Sequence, residues 1–190
     1  MEGVGLELTD EELAERAQKG DIDAFTLLVE RYEKKILRYV TSVLGQLADA
    51  EDVVQEVFLK AYRNMRSFDI RRKFSSWLYR IAHNEAMNAI KKRRYDPLLF
   101  FDADTLFPHP LSAEKTDQAV EEKELRQTLE KSLNALPPKY REPMVLHYLQ
   151  ELGYQEIADI LHVPIGTVGV RLKRAKIKLK LLIKKTDYQP

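Results

Sequence analysis

Tyr154-Gln-Glu-Ile-Ala-Asp-Ile-Leu-His-Val-Pro-Ile-Gly-Thr-Val-Gly-Val-Arg-Leu-Lys-Arg174 reads as two short amphipathic helices joined by a tight turn. In the first, Ile157, Ala158 and Leu161 share one face, and the small Ala158 lets a second helix cross closely. Val163-Pro164 breaks that helix, because proline cannot continue it. The spacing predicts that Thr167 starts the next, whose Val168, Leu172, Ala175, Leu179 and Leu182 keep one apolar stripe against a core. Its other side carries Thr167, Arg171, Arg174 and Lys178, and no acid occurs between Asp159 and Asp187. A helix-turn-helix places such a second helix in the major groove of duplex DNA. A C-terminal helix with a solvated basic face is the plainer alternative, but turn chemistry and both stripes agree on DNA. His162 occupies the turn, and a left-handed conformation is expected of it, which His tolerates better than bulkier residues do.

Working outward, 190 residues suit two small domains, with 44% apolar residues to build their cores. Only 7 glycines and few alternating Val/Ile/Thr runs argue against sheets. Charged residues make up 32% of the chain, yet the net charge is only +1, so acids and bases are segregated. Arg71 to Lys73, Lys91 to Arg94 and the stretch after Arg171 are basic, whereas Asp49 to Glu56 and Asp102 to Glu124 are mostly acidic. Two partners are implied, one nucleic acid and one basic protein surface. Cysteine is absent, which excludes disulfides and thiolate chemistry and fits a reducing cytosol. Neither a secretory leader nor a membrane-spanning apolar run is evident, so a soluble intracellular protein without direct membrane insertion is expected.

The fold expected is all-α: two small helical domains joined by a flexible linker, the C-terminal one a helix-turn-helix. Thr9-Asp-Glu-Glu12 is a capping-box pattern that opens a short helix ending near Gly20. Asp23 is expected to cap the second, which keeps helical period to about Leu44. A third begins at Asp49 with a broad apolar face of Val53, Val54, Val57, Phe58, Ala61, Tyr62 and Met65. A fourth runs from about Ser75 to Arg94. Pro97, Pro108 and Pro110 then forbid a continuous helix, which makes residues 96–116 a linker between domains 1–95 and 117–190. That linker is unusually apolar, with Leu98, Leu99, Phe100, Phe101, Leu106 and Phe107. Helices resume over about Asp117 to Leu136 and Pro138 to Gln150.

Two further stripes carry functional chemistry. Opposite the apolar face of the third helix lie Asp52, Gln55, Glu56, Leu59 and Arg63, either a solvated face or a dock for a basic protein. The fourth helix lines up Trp77, Arg80, Asn84, Asn88 and Lys91, preceded by Phe68-Asp-Ile-Arg-Arg-Lys-Phe74. Aromatics interleaved with Arg, Lys and Asn suit single-stranded DNA, because rings stack on unpaired bases, amides read base edges and cations hold the backbone. Trp77 is as easily a core residue, and Phe68, placed in a loop, is the better candidate for touching an extruded base. No catalytic set or cofactor site is apparent. His83, His109, His147 and His162 lack metal-ligand spacing. The acids Asp49, Glu51, Asp52 and Glu56 suit magnesium in principle, but nothing beside them would cradle a phosphate.

Four stretches together resemble the extracytoplasmic-function sigma factors of bacterial RNA polymerase. They are Asp23-Ala-Phe with its helix, Ala50-Glu-Asp-Val-Val-Gln-Glu-Val-Phe-Leu-Lys-Ala-Tyr62, Phe68-Asp through Phe74-Ser-Ser-Trp-Leu-Tyr-Arg-Ile-Ala-His-Asn84, and Leu136-Pro with Tyr154 to Lys176. The stretch Phe68 to Phe74 is most similar to the sigma-W type. The resemblance implies that Asp52, Gln55 and Glu56 contact core RNA polymerase. By the same resemblance Lys60, Asn64, Phe68, Arg80 and Asn84 engage the melted minus-ten strand of promoter DNA. Thr167, Arg171, Lys173 and Arg174 would then read the minus-thirty-five element, and the linker would thread near the RNA channel. It further implies a cytoplasmic protein, no enzyme, serving a stress or envelope regulon and held by a membrane-tethered anti-sigma factor. One departure stands out: the family commonly has Ser where this chain has Val170, and a basic residue is frequent where it has Gly169. Fewer polar contacts from this helix predict weaker binding to free DNA. The alternatives are a stand-alone dimeric helix-turn-helix regulator and, more remotely, a magnesium-dependent nuclease using the Asp49 to Glu56 acids.

Overall fold

The computed structural model describes residues 8–44, 47–94, 128–129 and 131–186, and every regular element among them is helical. The linker 96–116 and the helix expected from Asp117 to residue 127 lie outside the described residues.

Helix α1 (Asp10–Gln18) begins as its sequence requires. The Glu12 amide donates to Thr9 Oγ1 at 3.2 Å, and the Thr9 amide donates to Glu12 Oε2 at 2.7 Å. Gly20 then turns the chain at φ +95°, a conformation that side-chain-bearing residues rarely adopt. Helix α2 (Ile22–Leu44) is capped by Asp21, whose Oδ1 accepts the Ala24 amide at 3.0 Å. The expected cap, Asp23, instead lies inside the first turn, where its charge favours the helix dipole. Asp10 ties α1 to α2 by accepting from Arg31 and from the Tyr32 hydroxyl.

Helix α3 (Leu47–Asn64) runs into a 3₁₀ turn (Met65–Ser67), and α4 (Phe74–Arg94) follows a short loop. Leu28, Ile36, Tyr39, Val57, Phe74 and Leu78 form the solvent-free centre of this four-helix group. The connection between α3 and α4 is held from α1. Gln18 donates its amide to the carbonyls of Met65 (3.0 Å) and Phe68 (2.6 Å), and Glu11 accepts the Phe74 amide at 3.0 Å. That carboxylate satisfies one of the orphan donors at the start of α4.

The C-terminal group comprises α5 (Pro138–Met144), a π-helical turn (Val145–Leu149), α6 (Tyr154–Leu161) and α7 (Ile165–Thr186). Pro138 sits in the first turn of α5, where no amide donor is needed. His162 ends α6 at φ 52°, ψ 47°, the left-handed conformation expected of it. Helix α7 starts two residues earlier than the spacing suggests, because the carbonyl of Pro164 already accepts the Thr167 amide at 2.8 Å. Ile157, Ile160, Val168, Leu172 and Ala175 close its core with Leu136, Val145 and Leu146.

The two groups are docked against each other. Glu156 of α6 accepts the Ser76 hydroxyl of α4 at 2.8 Å and lies 3.3 Å from the Lys73 ammonium. The Tyr79 hydroxyl donates to Gln150. Deeper in the junction, His83 Nδ1 is 3.3 Å from Glu142 Oε2 and 3.2 Å from the Tyr39 hydroxyl. The buried Arg141 donates to the carbonyls of Asn134 (2.8 Å) and Val43 (3.5 Å). Sequence reasoning left open whether the halves meet; they do, across a junction that mixes packing with ion pairs.

Candidate nucleic-acid interface

The polar stripe of α3 faces outward. Asp52, Gln55 and Arg63 are exposed and Glu56 half-buried, while Val54, Val57 and Ala61 are buried on the opposite side. Tyr62 does not join the apolar face expected for it: it is 51% exposed, its ring tilted against Phe25 of α2 with centroids 5.1 Å apart. The arithmetic of the helix explains this, since Tyr62 lies between the buried Ala61 and the solvent-facing Arg63. Leu59, within the stripe itself, is also exposed.

The expected single-strand residues are distributed unevenly. Lys60 is paired with Glu85 of α4 at 2.7 Å. The Asn64 side chain donates to the Lys60 carbonyl at 2.8 Å, closing the end of α3. Arg80 is half-buried and Asn84 exposed on α4. Phe68 packs inward in this structure, unlike the open loop residue the sequence suggests. It is only 4% exposed, with its ring 5.1 Å from Trp77 and 5.7 Å from Phe74. Gln18, bound to the Phe68 carbonyl, folds the loop back and turns the ring inward, so Phe68 is the floor beneath Trp77 and not a presented surface.

The basic loop before α4 is partly neutralised. Asp69 takes Arg71 in a two-pronged clasp, Nε to Oδ1 and Nη2 to Oδ2, both at 2.9 Å. Those hydrogen bonds, with the Arg71 amide, hold the Asp69 carboxyl down to about 2. Arg72 and Arg80 reach instead toward the C-terminal group, lining a cleft with Asp159, His162 and Pro164.

On α7, Val168, Leu172 and Ala175 are buried. Thr167 and Arg171 are half-buried, Lys173 and Arg174 exposed, so all four expected DNA-reading residues lie off the packed face. Lys176 lies over the Tyr148 ring at 5.0 Å. Burial opposes ionisation of Glu156, but the Gly153 amide, the Ser76 hydroxyl and Lys73 outweigh it and hold that carboxyl below its ordinary range. Among the described residues, no group of three or more His, Asp or Glu could hold a metal ion.

An acidic outward helix, a cationic helix backed by aromatics and a helix-turn-helix thus occur in one chain, in that order. Residues 28–95 match the Sigma-70 region 2 family and residues 126–179 match Sigma-70, region 4. The ECF RNA polymerase sigma factor SigW of Bacillus subtilis (strain 168) is 38% identical over 183 residues, 92% of this chain and 97% of that protein. The chain belongs to the ECF sigma factors. The ECF RNA polymerase sigma-E factor of Escherichia coli (strain K12) is 39% identical over 90% of this chain and 92% of its own length. Among solved structures, CnrH in complex with the cytosolic domain of CnrY is similar at TM-score 0.68 and 26% identity, covering 93% of this chain and 97% of that one. Sigma factor RpoE of Bartonella quintana, in complex with the anti-sigma factor NepR, gives TM-score 0.68 and 25% identity over 84% and 96%. As an ECF sigma factor the protein binds core RNA polymerase, directs it to promoters and performs no covalent chemistry itself. Both regions in one chain leave the stand-alone regulator without support. Among the described residues no helix is long and apolar enough to cross a membrane.

Proposed function

We propose a division of labour among these residues. Asp52, Gln55 and Glu56 of α3 hold core polymerase. Lys60, Asn64, Arg80 and Asn84 engage the melted minus-ten strand, with Phe68 acting from beneath Trp77. Thr167, Arg171, Lys173 and Arg174 of α7 read the minus-thirty-five duplex. The single observation that carries this reading is that the acidic stripe of α3, Arg80 and Asn84 of α4 and the polar stripe of α7 lie off the packed faces of their helices. Opening follows from capture of unpaired bases, so its driving force is binding, on the order of 1–3 kcal/mol for each stacked base. The protein works in the cytoplasm on a stress or envelope regulon, under an anti-sigma factor tethered to the membrane. A similar sigma factor, RpoE of Bartonella quintana, was solved in complex with the anti-sigma factor NepR, which supports an anti-sigma partner.

The test is run-off transcription by a bacterial core RNA polymerase on a promoter library, with and without this protein. Discrete protein-dependent start sites, lost on charge reversal of Asp52 and Glu56, are expected. Transcripts unaffected by those reversals would remove α3 from the polymerase contact.

A further inference from the structure

Helix α7 presents an outward line that its basic flanks obscure. At about 100° per residue, Val170 lies about 200° from the buried Val168, pointing away from the core. It is 49% exposed, although it is a β-branched apolar residue. Its immediate neighbours are Arg171, Lys173 and Arg174, and no acid is present from residue 160 to 186. On its N-terminal side the helix is bare. Gly166 has no side chain, and a Cβ built there meets nothing within 4 Å among the described residues. Gly169 is equally without one, where a Cβ would lie 3.7 Å from the Tyr154 ring. The backbone of α7 can therefore approach a surface closely over its first turns, and Val170 is the exposed apolar side chain between Gly166 and Lys173.

An exposed Val flanked by cations on a groove-sized helix has one natural complement in duplex DNA. The 5-methyl group of thymine is the apolar feature of the major groove, and apolar side chains contact it there. We infer that Val170 is a specificity residue, reading the methyl group of a thymine in the upstream promoter element by apolar contact. This rests on the reading of α7 as the helix that enters the duplex. Ile177 and Leu181 are also exposed on the same outward line, but Ile177 is about 10 Å further along the axis, beyond the turns that contact base edges. The rival account of the line is a protein-docking stripe, on which Val170 would act at every promoter alike.

The experiment uses holoenzyme reconstituted from core polymerase and the full chain on its most active promoter. Each thymine of the upstream element is replaced singly by deoxyuridine, which differs only by the missing methyl. With the native chain, one position is expected to lose initiation roughly fourfold, the effect of one buried methyl group. Val170→Ala and Val170→Ser should start lower and be indifferent to deoxyuridine at that position. The inference is overturned if no thymine methyl matters to the native chain, or if the same methyl matters equally to Val170→Ala. It is also overturned if Val170→Ala weakens promoters with and without the upstream element alike. Arg171→Ala and Arg174→Ala separate the two levels. If they abolish dependence on the upstream element while the methyl effects are absent, only the Val170 inference fails. If that dependence survives both, α7 is not the reader and both readings fall.

Discussion

Phe68 and Glu156 show how much a single residue's role depends on where its neighbours place it. Phe68 sits in a loop yet is buried under Trp77, so its removal should be felt as lost packing. Phe68→Ala is expected to cost about 3–5 kcal/mol, the range for truncating a buried aromatic, and a urea titration would show it. Unchanged stability would mean that the ring is a surface group, free to meet a base. Glu156 makes a pH-dependent claim. Its carboxyl is held below its ordinary value of 4.5 in the folded protein, so it contributes stability above that value and loses it as pH falls through the folded one. Glu156→Gln should therefore be less stable than the native chain at neutral pH, with the gap closing below about pH 4.5. Thermal melts of both proteins between pH 7 and 3.5 would test the sign, and a gap that widens on acidification would contradict it.

At the level of elements, the proposed polymerase contact uses a whole face of α3 and not one residue. Reversing Asp52 and Glu56 to Lys should weaken the complex with core polymerase at least tenfold, about 1.4 kcal/mol, without altering the fold, since Asp52 is exposed and Glu56 half-buried. Competition against a second sigma factor for limiting core enzyme would measure it. The sequence makes such elements legible wherever the determinants are local. The capping box of α1, the apolar period of α7 and the left-handed His162 are all contained within a few residues. The cap of α2 was displaced by two residues, because Asp21 and Asp23 offer the same chemistry and only backbone geometry chooses between them. What stayed hidden depends on distant partners. Gln18 reaches Met65 and Phe68, and Glu11 reaches Phe74, across separations of 47, 50 and 63 residues. Those hydrogen bonds turn Phe68 inward, and no periodicity announces them. Tyr62 departs from its expected face for a related reason: its ring meets Phe25 of another helix.

At the scale of the whole molecule, the docked arrangement constrains when the sigma factor can use both DNA surfaces. Ser76 and Glu156 are within 2.8 Å, and Arg80 lines one cleft with His162, at the foot of the helix-turn-helix. On the proposed reading, elements named minus-ten and minus-thirty-five lie about 25 base pairs apart, which at about 3.4 Å each is on the order of 80 Å of duplex. No body in which α4 and α6 share hydrogen bonds can place one on each element. If the proposed division of labour holds, the two groups part on the promoter, losing the Glu156, Gln150 and Glu142 contacts to α4 and regaining that free energy from polymerase and DNA. The chain contains no cysteine, so a pair introduced at the junction is chemically unique. Ser76→Cys combined with Glu156→Cys, joined by a short bis-thiol reagent, should still bind core polymerase through the exposed α3 face but initiate no run-off transcription. The same double variant left unlinked should transcribe at least as well as the native chain, because it lacks the Lys73–Glu156 and Ser76–Glu156 contacts that favour docking. Full transcription by the linked protein would show that the docked body itself engages the promoter, and the two DNA surfaces would then have to be sought elsewhere on it.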